Sequence, residues 1–361
     1  MSLKELEVLL KQLISIPSVS GREHELSAFL SNLLASKGVD VREINVPGCG
    51  PSLLARQTFG LKGKTLLFYG HLDTVEPAEG WDSPFKPKLS EGKLYGLGAC
   101  DMKAGIAALT LAFLKLREVS GLKGSLMLAL TSDEELYSRG CERLIGSGLL
   151  KGVDAALSAE PTGLKRLETG RRGRVVFRVE FPRGKANPVV KAAGFIVALE
   201  GMHLKKGACV SAMAVESWLD SDGSPSLCRV AVDRLMVPGE TFDGVLSEVG
   251  KLAGRFHGKV GFHPRPTPYM QPYRLKAGEP IVKALREACH EILGFKPKPA
   301  LGLTAGDENY LAVRCGIPTV AYGPEGGNMH QPGEYVELES AVKAANVYVA
   351  ASIKFLSSRL G

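Results

Sequence analysis

The sequence predicts an α/β protein in which a three-layer domain with a mostly parallel sheet is interrupted by a smaller α+β domain. Short apolar runs, typical of buried central strands, alternate with helical patterns through most of the chain. Between residues 174 and 273 the predicted order is instead strand, helix, strand, strand, helix and strand, which is the ferredoxin-like pattern. The 361 residues also suffice for two domains of ordinary size.

The first segment, 1–173, begins with two predicted helices. Apolar residues from Leu6 to Ile14 recur at helical spacing until Pro17. Ser20 to Glu23 has the sequence of a capping box and predicts the start of a second helix, which ends at Gly38. A further helix is predicted from Met102 to Val119. Strands are predicted over 40–45, 52–57, 65–69, 125–130, 155–158 and, in the second segment 274–361, over 318–322.

The insertion, 174–273, has its own sequence signals. Asn187-Pro188 predicts a helix start, because Asn caps the helix and Pro suits its first position. The remaining elements are predicted as strands over 175–181, 209–218 and 227–236 and near 261, and as a helix over 241–256. The insertion therefore divides the larger domain into two segments.

Composition excludes several classes of protein. Hydrophobic residues are 45% and charged residues 23%, as in ordinary folded proteins. The sequence has no apolar stretch of about 18 residues, the length needed to span a membrane. Its N-terminus also lacks the basic segment followed by an apolar run that is typical of a secretory signal. We therefore expect a cytoplasmic protein without membrane contact. The net charge of +7 is scattered and accompanies no nucleic-acid-binding motif, so we expect no nucleic-acid partner. The seven cysteines include no CxxC pair.

One pair of polar residues follows the strand predicted over 65–69. In extended backbone, His71 and Asp73 point the same way. Ligands of open parallel sheets bind outside the carboxyl ends of the strands, where this pair is expected. A carboxylate behind an imidazole orients a metal-ligating histidine, but a strand-end histidine bonded to its neighbour has the same sequence. Taken alone, the pair leaves both interpretations open.

Other candidate ligands follow further predicted strands or begin a helix. Asp101 is either a helix N-cap or a ligand. The carboxylates at 133–135 either face solvent or gather around a cation, since neighbouring like charges repel. Glu160 follows the strand predicted over 155–158. His330 follows the last predicted strand and, alone, also fits an ordinary loop histidine.

The coincidence of these residues at one sheet edge predicts a metal site. The predicted ligands are His71, Asp101, Glu135, Glu160 and His330. This mixed nitrogen and oxygen set suits zinc and also admits cobalt or manganese. Five ligands are too many for one catalytic zinc, but they fit two metals about 3.5–4 Å apart that share a carboxylate. Glu134 is then left to act as a general base on the attacking water.

Three motifs make the chain resemble the zinc-dependent aminoacylase and carboxypeptidase family, which includes acetylornithine deacetylase, succinyl-diaminopimelate desuccinylase and glutamate carboxypeptidase. They are His71-Leu72-Asp73-Thr74-Val75, Gly98-Ala99-Cys100-Asp101-Met102-Lys103-Ala104-Gly105 and Glu134-Glu135. The resemblance implies two Zn²⁺ per subunit. It implies that one metal is held by His71, Asp101 and Glu160 and the other by Asp101, Glu135 and His330.

The resemblance also implies roles outside the ligand set. Glu134 is the base and Asp73 orients His71. The insertion is implied to be a dimerisation and lid domain, so we expect a homodimer. Arg234 matches a position that binds the substrate carboxylate in several members.

One departure from the family pattern leaves the function open. Members usually carry a histidine shortly after the first strand of the lid domain, where it stabilises the developing oxyanion. Here Gly184-Lys185-Ala186 runs directly into Asn187, without that histidine. The main hypothesis is an amidohydrolase acting on an N-acyl amino acid or a C-terminal peptide bond. The alternatives are a dipeptidase or aminopeptidase on the same scaffold and a metal-binding, non-catalytic homologue.

Overall fold

A computed structural model of the protein describes residues 1–60 and 62–357. The helices are α1 (Leu3–Ser15), α2 (His24–Ser36), α3 (Ala104–Leu116), α4 (Arg139–Gly146), α5 (Pro188–Glu200), α6 (Phe242–Gly254), α7 (Pro280–Leu293), α8 (Asp307–Val313) and α9 (Leu338–Ser357). The strands are β1 (Val41–Ile44), β2 (Ser52–Thr58), β3 (Thr65–His71), β4 (Lys88–Ser90), β5 (Lys93–Tyr95), β6 (Ser125–Thr131), β7 (Ala155–Ser158), β8 (Arg166–Arg171), β9 (Gly173–Pro182), β10 (Cys209–Leu219), β11 (Pro225–Met236), β12 (Lys259–Phe262), β13 (Tyr273–Arg274), β14 (Lys298–Gly302), β15 (Thr319–Ala321), β16 (Gly326–Gly327) and β17 (Tyr335–Glu337).

The chain divides into two compact units. The first comprises 1–169, 275–300 and the described residues from 314 onwards, and the second comprises 170–274 and 301–313. The predicted assignment of 174–273 to dimerisation and lid closure stays a prediction, and residues 358–361 of the predicted second segment lie outside the described part of the chain. Within residues 1–60 and 62–357, no helix is both long and apolar enough to cross a membrane.

The first unit is built on a mixed sheet in the order β1, β2, β6, β3, β7, β15 and β8. The central pairs, β6 with β3, β3 with β7 and β7 with β15, are parallel, whereas β1, β2 and β8 pair antiparallel with their neighbours. Every residue of β3, β6 and β7 is buried, so both faces of the sheet centre are covered. The α/β class predicted from these apolar runs is confirmed.

Two helix starts differ from the prediction. The capping box predicted at Ser20–Glu23 is wrong: α2 starts without a side-chain cap, and Glu23 accepts from the N–H groups of Gly21 and Gly50 instead. The helix predicted from Met102 begins only at Ala104, because Met102 itself is non-helical, with φ −129° and ψ 34°. Local sequence cannot reveal these departures, since long-range contacts determine them.

The approach of α3 to the end of β7 requires a glycine. A Cβ at Gly105 would lie 2.3 Å from the carbonyl oxygen of Ala159, which immediately precedes Glu160. No side chain fits in that gap. The glycine therefore lets the N-terminus of α3, just after Asp101, pack directly against the strand end that carries Glu160.

A separate small sheet places two loops of the first unit side by side. Its strand order is β16, β17, β5 and β4. The β16–β17 hairpin encloses His330, and β17 pairs with β5, which precedes the turn at 98–103. The pairing brings two distant parts of the chain together at the predicted site.

The second unit contains a four-stranded antiparallel sheet in the order β10, β11, β9 and β12. With α5 and α6, its chain order is βαββαβ, the predicted ferredoxin-like pattern. Alternate residues of β9 are buried in its core, namely Val175, Phe177, Val179 and Phe181. As predicted, Asn187 caps α5 by accepting from the N–H of Val189 at 2.8 Å.

Candidate metal centre

The parallel pairing of the first unit brings the predicted strand-end residues to one edge. His71 is the last residue of β3 and pairs in register with Thr131, the last residue of β6. The carboxylates at 133–135 follow β6 directly, and Glu160 follows β7. Because these strands are parallel neighbours, their carboxyl ends meet at the same edge.

Asp101 lies between the two histidines. Its Oδ1 is 3.2 Å from Nε2 of His71, and its Oδ2 is 3.2 Å from Nε2 of His330. Glu160 Oε1 lies 3.6 Å from the His71 nitrogen, and Glu135 Oε1 lies 2.9 Å from the His330 nitrogen. Two groups of three result, each with ligand atoms within 4.8 Å of one another: His71, Asp101 and Glu160, and Asp101, Glu135 and His330. The two groups share Asp101.

Asp73 contacts more than the histidine that it was predicted to orient. His71 Nδ1 lies 3.0 Å from the Asp73 carbonyl oxygen and 3.5 Å from its carboxylate. The carboxylate accepts hydrogen bonds from the backbone N–H groups of Glu134 and Glu135, both at 3.0 Å. It also accepts from the hydroxyl of Ser20 at 2.7 Å. One buried carboxylate thus connects a histidine to the backbone of the acidic pair.

Several residues that support the site were not singled out from the sequence. Ser20 was predicted only as a helix cap, and Asp133 only as part of an acidic run. The buried Asp133 accepts from Nε and Nη2 of Arg139 at 2.7 and 2.9 Å, which fixes the backbone next to Glu134. Glu334 accepts from the backbone of the turn that contains Asp101. Its position four residues after His330 is the one signal in the sequence that could have drawn attention to it.

The charges of the cluster are strongly coupled. Burial disfavours ionisation of Asp101, but hydrogen bonds from His330 and His71 outweigh it and hold the Asp101 pKa well below its usual range. Burial, followed by repulsion from Asp101, raises the pKa of Glu135. A hydrogen bond to Asp101 and the nearby carboxylate of Glu135 raise the pKa of His330 to about 10. For His71, burial lowers the pKa, yet hydrogen bonds to Asp101 and Asp73 raise it well above the ordinary value.

The cluster fits a pair of divalent cations. Imidazole nitrogens and carboxylate oxygens form a ligand set that suits zinc and related metals. Among the described residues, no donor has hydrogen-bonding geometry at the buried Oε1 of Glu135, although His330 is close. Such an oxygen is a suitable ligand atom. Cations would have to replace the imidazole protons, so metal affinity is expected to increase with pH.

The remaining predicted site residue, Arg234, belongs to the second unit. It lies on β11 with its side chain 0% exposed, and its Nη2 is 2.6 Å from Glu240. Substrate binding by this residue stays a prediction. The histidines of the second unit, His203, His257 and His263, are the candidates to replace the missing lid histidine, and all three are exposed.

Comparisons with known proteins find similarity over most of the chain. A model of peptidase family M20/M25/M40 matches residues 67–354. Succinyl-diaminopimelate desuccinylase of Sulfurovum sp. (strain NBC37-1) is 27% identical over 362 residues, covering 94% of this chain and 96% of the relative.

Two solved structures share the fold. Aminopeptidase PepT from Bacillus cereus ATCC 10987 has a TM-score of 0.80 and 19% identity, covering 99% of this chain and 100% of that one. YXEP from Bacillus subtilis, described as a dinuclear metal binding peptidase from the M20 family, has a TM-score of 0.80 and 18% identity, covering 99% of both chains.

Proposed function

Because the chain belongs to peptidase family M20/M25/M40, we propose that it is a dinuclear zinc amidohydrolase that cleaves an N-acyl amino acid or a short C-terminal peptide bond. Membership makes the protein a metal-dependent hydrolase of amide or peptide bonds. The observation that carries the finer proposal is the sharing of Asp101 by two ligand groups, one of which contains Glu135, the chain neighbour of Glu134. One zinc ion is assigned to each group, with cobalt or manganese as possible substitutes.

The residues of the chain have distinct roles in the proposed reaction. When bound, the metals supply Lewis-acid polarisation of the scissile carbonyl. Glu134 accepts a proton from the attacking water and delivers it to the leaving amine. Asp73 orients His71 through Nδ1 and holds the backbone N–H groups of Glu134 and its neighbour. Arg234 remains the proposed ligand of the substrate carboxylate.

The role of Glu134 gives the most direct test of this reaction. Glu134→Gln removes the proton acceptor but keeps the side-chain size and the backbone hydrogen bond to Asp73. We expect turnover to fall about 10²-fold or more while the zinc content stays that of the wild type. Steady-state kinetics and metal analysis of the same sample measure both. Wild-type turnover in the variant would remove Glu134 from the mechanism.

A substrate panel separates the proposed deacylase from its alternatives. The curated desuccinylase relative supports an N-acyl amino acid as substrate, whereas the aminopeptidase with the same fold supports the alternative of peptide cleavage. We expect higher kcat/KM for N-succinyl and N-acetyl amino acids than for dipeptides and tripeptides. The reverse order would favour the peptidase. If two zinc ions bind but no compound is turned over, the result would favour a non-catalytic homologue. That alternative is considered because the lid histidine is missing.

We also propose that the protein is a homodimer formed through the second unit. Its strand β10 is an edge strand of the sheet with exposed apolar residues, including Val215 at 52%. Helix α5 exposes Val190 at 66% and Val197 at 75%. Exposed apolar residues grouped on neighbouring elements are typical of interaction surfaces. The cytoplasmic location stays a prediction from the sequence.

Two charged residues introduced on α5 test the proposed dimer. We expect the wild type to sediment as a dimer and Val197→Glu, combined with Val190→Glu, to sediment as a monomer, since buried unpaired charges disfavour an interface. Val8→Glu is the matched control, because Val8 is 51% exposed on α1 of the other unit. Sedimentation of the wild type as a monomer would contradict the proposal.

A further inference from the structure

A buried carboxylate joins the two loops that carry Asp101 and His330. Glu334 is 0% exposed and lies four residues after His330. Its Oε2 accepts from the N–H of Gly98 at 3.0 Å. Its Oε1 accepts from the N–H groups of Cys100 and Asp101 at 2.9 and 3.0 Å. Both oxygens therefore hold the turn that presents Asp101, which the two ligand groups share.

The two loops have backbone conformations that need such support. Gly98 is left-handed at φ 75°, and a Cβ there would lie 2.4 Å from Thr74. On the other loop, His330 has φ 63° and Asn328 has φ 55°, which are uncommon for residues with a side chain. The Glu334 carbonyl also accepts from the N–H of Gly96 at 3.0 Å. Main chain and side chain of this glutamate thus both bind the segment that leads to Asp101.

We propose that Glu334 is a positioning residue that fixes the spacing of Asp101 and His330 and so sets the affinity of the cation site formed by Asp101, Glu135 and His330. The inference rests on the proposed dinuclear function and deepens it. The other group depends less on this link, because His71 belongs to β3 and contacts Asp73. Loss of the carboxylate is therefore expected to weaken the two cation sites unequally.

Glu334→Gln tests the inference with little change in size. The amide has one acceptor oxygen, and its NH₂ group would face an N–H donor of the turn. In calorimetric titrations of the metal-free protein with Zn²⁺, we expect one equivalent to be weakened about 10–100-fold and the other to be weakened much less. Glu339→Gln is the matched control, because that side chain is 78% exposed at the start of α9. It should leave both affinities unchanged.

A double variant with His330→Ala and a second substitution of Glu334 make the test decisive. In a His330→Ala protein, Glu334→Gln should cause a much smaller additional loss of zinc affinity than in the wild type, since both changes act mainly on the same site. Glu334→Asp keeps the charge but shortens the side chain, and we expect it to weaken the same equivalent even if the glutamine variant does not fold. If the folded variants bind both zinc equivalents with unchanged or equally weakened affinities, the inference is overturned but the proposed function is not. A wild-type protein that does not bind two zinc ions would overturn the proposed function and this inference with it.

Discussion

The two histidines of the candidate metal centre are held in opposite ways. His71 ends a buried central strand, and its side chain is 2% exposed. His330 lies on the hairpin between β16 and β17 with its side chain 41% exposed and its backbone left-handed. Both present Nε2 to the same carboxylate at 3.2 Å. Similar ligand geometry can thus be produced by sheet pairing on one side and by specific loop contacts on the other.

The largest expected difference between these regions is in the stability of the metal-free protein. His71→Ala leaves the buried Asp73 without its imidazole partner and leaves Asp101 with His330 alone, so we expect the free energy of unfolding to fall by about 3–5 kcal/mol. His330→Ala should lower it by less than about 1 kcal/mol, because that pair is partly exposed. Denaturant unfolding with a chelator present measures both. Equal losses would show that burial does not distinguish the two histidines.

A smaller effect is expected from the hydroxyl that supports Asp73. Ser20→Ala removes its 2.7 Å hydrogen bond, worth about 1 kcal/mol, and loosens the carboxylate that holds Glu134. We expect kcat to fall about five- to tenfold with KM unchanged, and Ser20→Thr to restore it. Ser15→Ala is the control, because Ser15 is exposed and its hydroxyl donates only to its own helix at Lys11. A change in KM without a change in kcat would contradict the positioning role.

The smallest expected effect is the pH dependence of the loop side of the centre. The folded-state pKa of His330, about 10, is above its ordinary value of 6.5. The stabilisation from this proton is therefore complete below about pH 6.5 and is lost as the pH rises through about 10. In the presence of a chelator, we expect Tm to decrease over this range, and to decrease less in His330→Gln. The same decrease in the variant would assign the titration to other groups.

The strand-end side of the centre could be predicted from the sequence, whereas much of the loop side could not. Apolar runs determine the buried parallel strands, and parallel pairing then brings the ends of β3, β6 and β7 to one edge. For this reason the neighbourhood of His71, Glu135 and Glu160 follows from periodicity and chain order. The position of His330 at the same edge was expected, but the contacts that hold its loop were not.

The unpredicted contacts depend on pairings between distant residues. Glu334 binds Gly98 across 236 positions, and Ser20 binds Asp73 across 53. Ser20 and Glu23 fit a local capping pattern. In the structure, however, the Ser20 hydroxyl donates to Asp73 and the Glu23 carboxylate accepts from Gly50, both of which are distant in the chain. A local sequence pattern identifies such residues only as helix caps or loop residues, because their hydrogen-bond partners come close only when the sheet forms.

The sharing of Asp101 by two cation sites is tested most directly by titrating the metal-free protein with Zn²⁺ and comparing it with Asp101→Ala. If both ligand groups use this carboxylate, the wild type binds two equivalents, and the variant weakens both by at least about tenfold. A variant that keeps one equivalent at wild-type affinity would contradict the sharing of Asp101, and a wild type that binds no zinc would contradict the metal centre itself.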